Sequence, residues 1–376
     1  MTSEISEELA IFRRSANRFI ESEVVPHLSR FREQRCVDRD LWRKAGEAGL
    51  LLCGIPEPWG AGGDIRHEVV FIEELARAGF PDFGVPIHSG IVAPYIAHYG
   101  TDAQKDRWLP AMAAGEKVGA MAMTEPEGGS DLRGIRTSAK LYGDEWVING
   151  AKTFITNGHL ADIIIVACQT EPPATRSGLS LIVVETEGLE GFRRGRNLEK
   201  IGFKASDTAE LFFDDCRVPA SNLLGERGRG LPHMMQQLPQ ERLLMAVQAV
   251  GAMEAAVDLT IAYTKERRAF GQAVFDFQNT RFKLAEAKSH TTVARIYLDK
   301  CIDDHANGEF SSTDGAIAKW WTTQKQCEVI DECLQLFGGY GYMTEYPIAH
   351  AWADARVQKI YAGTNEIMKE LIARSL

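Results

Sequence analysis

One candidate for moving a proton in this chain is a glutamate beside an arginine, in Leu238-Pro239-Gln240-Glu241-Arg242-Leu243. The helical pattern runs through Met234 and Met235 to Leu243, so Pro239 removes one ladder hydrogen bond and kinks the helix, which turns Glu241 toward a cavity. Burial there would raise its proton affinity, and Arg242 would tune it electrostatically. On residue type alone the bland alternative is stronger: a Glu next to an Arg on a helix is usually a solvated face. A second carboxylate, Glu366, competes from Lys359-Ile360-Tyr361-Ala362-Gly363-Thr364-Asn365-Glu366-Ile367.

Other segments offer hydrogen-bond donors rather than acids. In Ala122-Met123-Thr124-Glu125-Pro126-Glu127-Gly128-Gly129-Ser130-Asp131 the glycines let backbone N–H groups approach a planar ring or a phosphate, and Thr124 and Ser130 can donate hydroxyl hydrogen bonds. Asn149-Gly150 and Asn157-Gly158 read as two tight turns flanking a short strand that carries Phe154 and Thr156. Asn197 to Thr208, with the strand ended by Pro219, reads as a connector plus an edge strand. Glu266-Arg267-Arg268-Ala269-Phe270-Gly271 looks like a charged helix end stopped by Gly271. Gln335-Leu336-Phe337-Gly338-Gly339-Tyr340 resembles an ordinary connector.

The elements that must position these groups follow three regimes. Residues 1–117 show helical spacing of apolar residues, such as Val70, Ile72, Leu75 and Ala76, interrupted by a loop rich in Pro and Gly at positions 56–63. Residues 118–228 carry β-branched runs, Ile163-Ile164-Ile165-Val166 and Leu181-Ile182-Val183-Val184, separated by turn residues, which predicts a β-barrel or sandwich domain. Residues 229–376 return to helical period, with Leu243, Val247, Val250, Met253 and Val257 on one face and small residues Ala246, Ala249, Gly251 and Ala252 allowing close helix approach. The fold class is α+β: a helical domain, a β domain, then a helical bundle.

Composition bounds the partners. The 376 residues contain 52 acidic against 42 basic side chains, a net charge of -10, which disfavours nucleic acid as a partner. Seven cysteines without a paired spacing indicate neither a zinc site nor a disulfide framework, so no metal is expected. A reducing cytoplasm is the expected location, since Met1-Thr2-Ser3-Glu4 leads into an amphipathic acidic segment rather than a signal peptide. No membrane span is expected either, because no run of about 18 uninterrupted apolar residues occurs.

Taken in order, these segments resemble the acyl-CoA dehydrogenase family over essentially the whole chain, and most closely its long-chain branch. The resemblance implies FAD as cofactor. It places Met121, Met123, Thr124, Gly129 and Ser130 in the flavin loop, although Glu127 departs from the glycine common there. Phe154 and Thr156 match an aromatic and a threonine that lie against the isoalloxazine, with Phe154 where many relatives have Trp. Arg267 matches an arginine that binds the flavin pyrophosphate of a neighbouring subunit, with Phe270 and Gln278 also at the cofactor. Gln335, Phe337, Gly338 and Gly339 match the adenosine contacts across a subunit interface, and Thr364 and Glu366 the nucleotide contacts at a helix start.

For the substrate the resemblance implies Ser130, Leu238, Arg242, Tyr361, Ala362 and Gly363. Many relatives carry the catalytic base where this chain has Ala362, which cannot accept a proton. The long-chain and isovaleryl-type branch carries it within Leu-Pro-Gln-Glu-Arg-Leu, which makes Glu241 the implied base. The implied reaction is dehydrogenation of a long-chain or branched acyl-CoA to the trans-2-enoyl-CoA, with an electron-transfer flavoprotein as acceptor and a homotetramer as the assembly. Three alternatives stay open: a flavin oxidase or monooxygenase of the same fold, a catalytically silent subunit of a heteromer, and, disfavoured by charge, a DNA-binding relative.

Overall fold

A computed structural model describes residues 3–171 and 178–376. The first helices are α1 (Ser3–Phe19), α2 (Leu28–Gln34), α3 (Arg39–Glu47) and α4 (Ile65–Arg77). Next, α5 (Val85–Ile87) passes through a π-helical turn, His88–Val92, into α6 (Ala93–Tyr99), and α7 (Asp102–Ala113) follows. Local chemistry sets several starts: Asp64 with His67 and Thr101 with Gln104 each form reciprocal caps at the heads of α4 and α7. Trp42, Phe71, Phe80, Phe83 and Trp108 fill the core between these helices.

The central region is one eight-stranded sheet: β1 (Gly119–Ala122), β2 (Ser138–Tyr142), β3 (Glu145–Thr156), β4 (Ile163–Gln169), β5 (Leu179–Glu185), β6 (Phe192–Asn197), β7 (Thr208–Pro219) and β8 (Leu223–Leu224). Its order is β6-β7-β3-β2-β4-β5-β8, with β1 added in parallel to β4. Ile163 through Cys168 are all buried, which is why that segment reads as a continuous apolar run rather than an alternating one.

Two sequence expectations fail here for identifiable reasons. Asn149-Gly150 is not a turn: β3 runs through it, and the register slips there as a bulge that pairs Asn149 with Asp215 through side-chain and backbone hydrogen bonds. Gly150 is required because a Cβ would sit 2.5 Å from Thr137 Oγ1. The strand ending at Pro219 is not an edge either, since β7 lies between β6 and β3, and Pro219 falls at its last register position.

The sheet is tied to the first helices by polar side chains. Asn157 Nδ2 donates to Gly84 O at 3.0 Å and Gly119 O at 3.1 Å, both inside the protein. Asn157→Ala would remove both hydrogen bonds, leaving Gly84 O with only its bond from His88 N, and should destabilise the fold by about 1–2 kcal/mol, read from the shift of the urea midpoint.

The C-terminal part comprises α8 (Gly230–Glu266), the hairpin β9 (Arg268–Ala269) and β10 (Gln272–Ala273), then α9 (Gln278–Ala306), α10 (Ser312–Leu336), α11 (Pro347–Gln358) and α12 (Asn365–Ala373). Gly271 does not stop a helix. It shares the hairpin tip with Phe270, both in left-handed conformation. Helix α8 is assigned without a break through Pro239 and packs against α4, α9 and α10. Gly251 permits the approach of α4, since a Cβ there would lie 3.1 Å from Glu73 O. By length and apolarity α8 could cross a membrane, but 72% of that window is buried in the fold, which makes it a core helix.

Candidate active site

Glu241 lies on the buried stretch of α8 and is 5% exposed. Its one side-chain hydrogen-bond partner among the described residues is Tyr95 from α6, whose hydroxyl donates to Glu241 Oε1 at 3.0 Å. Burial pushes the carboxyl up to about 7, against the Tyr95 hydrogen bond and the Arg242 charge, which both pull it down. A carboxyl poised there can take a proton near neutral pH. Arg242, also buried, leaves Nε and Nη1 without a partner and forms no ion pair among the described residues. Those donors are free to face a ligand.

The Ala362 turn lies along this same helix. Tyr361, just before it, donates its hydroxyl to Gln248 Oε1 at 3.1 Å, two turns beyond Glu241 on α8. Ala362 and Gly363 are both left-handed, and the Ala362 N–H has no partner among the described residues. Leu238 is buried one turn before Glu241 on the same helix. Glu366, the competing carboxylate, is exposed on the first turn of α12, where Thr364 is the N-cap and accepts from Ile367 N. The geometry therefore favours Glu241 over Glu366 as a buried base.

A second group of residues gathers on the sheet. Thr153 N donates to Thr124 O at 2.9 Å, joining to β3 the loop that holds Met123 and Thr124 just after Met121 on β1. The register slip between Lys152 and Ile155 re-aims Phe154, which is left-handed and 67% exposed despite being aromatic. The hydroxyls of Thr124, Ser130 and Thr156 make no hydrogen bond among the described residues, and Gly129 lies beside Thr124, where a Cβ would come within 3.6 Å of Thr124 Cγ2. An uncovered aromatic beside unpaired hydroxyls suits a planar, polar-edged ring.

The remaining predicted residues form a third group. Arg267, Phe337, Gly338 and Gly339 line a cavity of about 450 Å³. Phe337 is buried there, stacked on Tyr263 at 4.0 Å, while Arg267 lies over the Tyr340 ring. Gln278 and Gln335 are exposed, and Phe270 at the hairpin tip is 97% exposed. Among the described residues that ring meets Phe277 edge-on and is otherwise bare.

Two residues at the site were not anticipated. Tyr95 had no signal, being one aromatic among helically spaced apolar residues. Lys319, fully buried on α10, donates to Gly363 O at 2.6 Å. Its signal was present: a lone lysine in the apolar run Ala316-Ile317-Ala318-Lys319-Trp320-Trp321.

The protein is a three-part assembly of helices, a sheet and helices, with a buried near-neutral carboxyl on the same helix that Tyr361, beside the Ala362 turn, bonds to. Sequence models of the acyl-CoA dehydrogenase N-terminal, middle and C-terminal domains match residues 6–116, 120–216 and 228–376. The chain is 49% identical to the mitochondrial long-chain specific acyl-CoA dehydrogenase of Sus scrofa over 374 residues, covering 99% of this chain and 87% of that one. An acyl-CoA dehydrogenase structure from Geobacillus kaustophilus superposes with a TM-score of 0.96 at 46% identity, covering 98% of both chains. A glutaryl-CoA dehydrogenase from Mycobacterium smegmatis in complex with FADH2 gives a TM-score of 0.91 at 27% identity, covering 100% of this chain and 95% of that one. The protein belongs to the acyl-CoA dehydrogenase family.

Proposed function

We propose that this protein is an FAD-dependent acyl-CoA dehydrogenase that converts a long-chain or branched acyl-CoA to the trans-2-enoyl-CoA, with Glu241 as the base. The observation that carries this reading is the buried Glu241 carboxyl, near-neutral in proton affinity, on the α8 face that also holds the Ala362 turn. Thr124, Ser130, Thr156 and Phe154 fit the isoalloxazine, and Arg267, Phe270, Gln278, Gln335, Gly338 and Gly339 fit the nucleotide end. Bound FAD supplies the acceptor for the hydride that leaves the β-carbon.

The chain's own residues do the rest. Glu241 removes the α-proton, and its raised proton affinity lets it hold that proton afterwards. The Ala362 N–H donates to the thioester oxygen and stabilises the negative charge that develops there; this backbone donor survives the loss of a carboxylate side chain at position 362. Arg242 keeps the site positive. Tyr95 fixes the carboxylate's orientation, and Leu238 supplies apolar surface toward the acyl chain.

An electron-transfer flavoprotein is the acceptor we assign, and the bare Phe270 supports assembly as a homotetramer in which a neighbouring subunit covers it. Seven free thiols suit a reducing cytoplasm.

Anaerobic addition of acyl-CoAs of graded length and branching to the purified holoenzyme should bleach the flavin absorbance and yield the 2-enoyl product. Rapid reoxidation in air with peroxide formation would instead indicate an oxidase. A further expected result concerns the relocated base: Ala362→Glu placed in the Glu241→Gln background should recover at least about a tenth of the lost activity. Recovery indicates that both positions face the same α-carbon, and none would count against that shared geometry.

A further inference from the structure

Resting on the reading just given, we propose that Lys319 is a positioning residue for the reaction, holding the Ala362-Gly363 turn from behind so that the Ala362 N–H stays aimed at the thioester oxygen. Lys319 lies on α10 with no exposed surface. Its ammonium donates to Gly363 O at 2.6 Å and to Asn365 Oδ1 at 3.0 Å. The same Asn365 oxygen also accepts from Thr323 Oγ1 at 3.2 Å, and Asn365 Nδ2 donates to Trp320 O at 3.4 Å. The turn is thus bolted to α10 at several points.

Such anchoring is needed because the turn is strained. Ala362 has φ of +52° and Gly363 +87°. A left-handed conformation disfavours alanine by about 1 kcal/mol, and it persists only where surroundings over-determine it. Gly363 carries no side chain that could hold the turn, and a Cβ there would lie 2.7 Å from Met368 Cε. The carbonyl of Gly363 is the handle within the turn itself that α10 grips, with Asn365 just beyond it as the second. Gripping it leaves the Ala362 N–H free on the other side of the turn.

Charge adds a second effect. Burying an ammonium opposes its charged form, and Arg242 from α8 opposes it further, which together bring Lys319 down to about 7. The charge of Glu366, exposed on α12, pulls the other way. Arg242 has the buried Glu241 carboxyl beside it, whereas Lys319, held on Gly363 O and Asn365 Oδ1, forms no ion pair among the described residues. A negative charge developing on the thioester oxygen would supply Lys319 with a counter-charge, so Lys319 favours the enolate over the neutral acyl group.

The test compares two ligands on the holoenzyme by calorimetric titration: a 3-oxoacyl-CoA, whose acidic α-proton lets it bind as the enolate, and the neutral trans-2-enoyl-CoA of the same length. Wild-type protein should bind both, with flavin bleaching by the saturated acyl-CoA verifying the underlying reading independently. Lys319→Met should weaken the 3-oxoacyl-CoA by at least about tenfold while changing the enoyl-CoA by less than about threefold. Lys319→Gln, which retains polarity without charge, should show the same selective loss and covers the case in which the Met variant fails to fold. Equal weakening of both ligands, or no change in either, would overturn the proposal. Failure of the wild type to bleach or to bind would overturn the dehydrogenase reading instead, and this inference with it.

Discussion

Glu241→Gln is expected to lower turnover by at least about a thousandfold while the protein keeps its flavin spectrum. Glutamine preserves the shape of the side chain and can still accept a hydrogen bond from Tyr95, whose hydroxyl reaches the residue at 3.0 Å. It cannot take the α-proton. Since none of the residues assigned to the flavin touches Glu241 through a hydrogen bond, the cofactor should remain bound. Stability gives an independent sign. The folded carboxyl sits near 7, above an ordinary value of about 4.3, so between those pH values the folded chain retains a proton that the unfolded chain releases. The contribution of Glu241 to stability therefore falls as pH rises through that window and is lowest above pH 7. Glutamine removes this penalty, so the variant should melt above the wild type at pH 8 and approach it at pH 4. The same proton affinity predicts that wild-type turnover declines as pH drops below about 7, where the base becomes protonated.

Lys152→Met should produce the second large effect, on stability and flavin retention together. Lys152 is fully buried on β3, and its ammonium donates to Met123 O at 3.0 Å and to Glu125 Oε1 at 2.8 Å. Those contacts hold the loop bearing Met123 and Thr124 against the sheet. Glu125 keeps its backbone hydrogen bonds from Arg136 and Thr137, so methionine leaves a partly satisfied buried carboxylate. Breaking such a pair destabilises by about 3 kcal/mol. Burial would raise the Glu125 carboxyl, but Lys152 and the hydrogen bonds from Thr137 and Arg136 together hold it below its ordinary range. That stabilisation is present above the ordinary carboxylate value and is lost as pH falls through the folded one. The wild-type advantage over Lys152→Met should therefore shrink in acid, as measured by thermal unfolding, and the variant should release flavin more readily on dilution.

The order of helices, sheet and helices was legible because each regime has its own apolar period, and Glu241 stood out as a candidate because its neighbours form a distinctive run. Its burial was not. A Glu-Arg pair reads identically on a wet or dry helix face, and the dry face here is set by α4, α6 and α10 packing from distant parts of the chain. Asn149-Gly150 shows the limit of turn rules: a dipeptide favouring a turn becomes a bulge when strands on both sides hold β3 in register. Gly271 was misread because a helix stop and a hairpin tip both need a left-handed glycine. The burial of β7 between two strands was hidden because strand order depends on long-range pairing. Lys319 carried a local signal, yet its partner Gly363 O lies 44 residues away.

The most direct measurement of the central claim isolates proton removal from hydride transfer. An acyl-CoA analogue with sulfur in place of the β-carbon, deuterated at the α-carbon, can lose its α-deuteron but cannot release a hydride. Mass spectrometry after incubation with holoenzyme in ordinary water should show rapid loss of deuterium with the wild type and retention with Glu241→Gln. Exchange by Glu241→Gln at the wild-type rate would show that another group removes the proton and would contradict the assignment of Glu241.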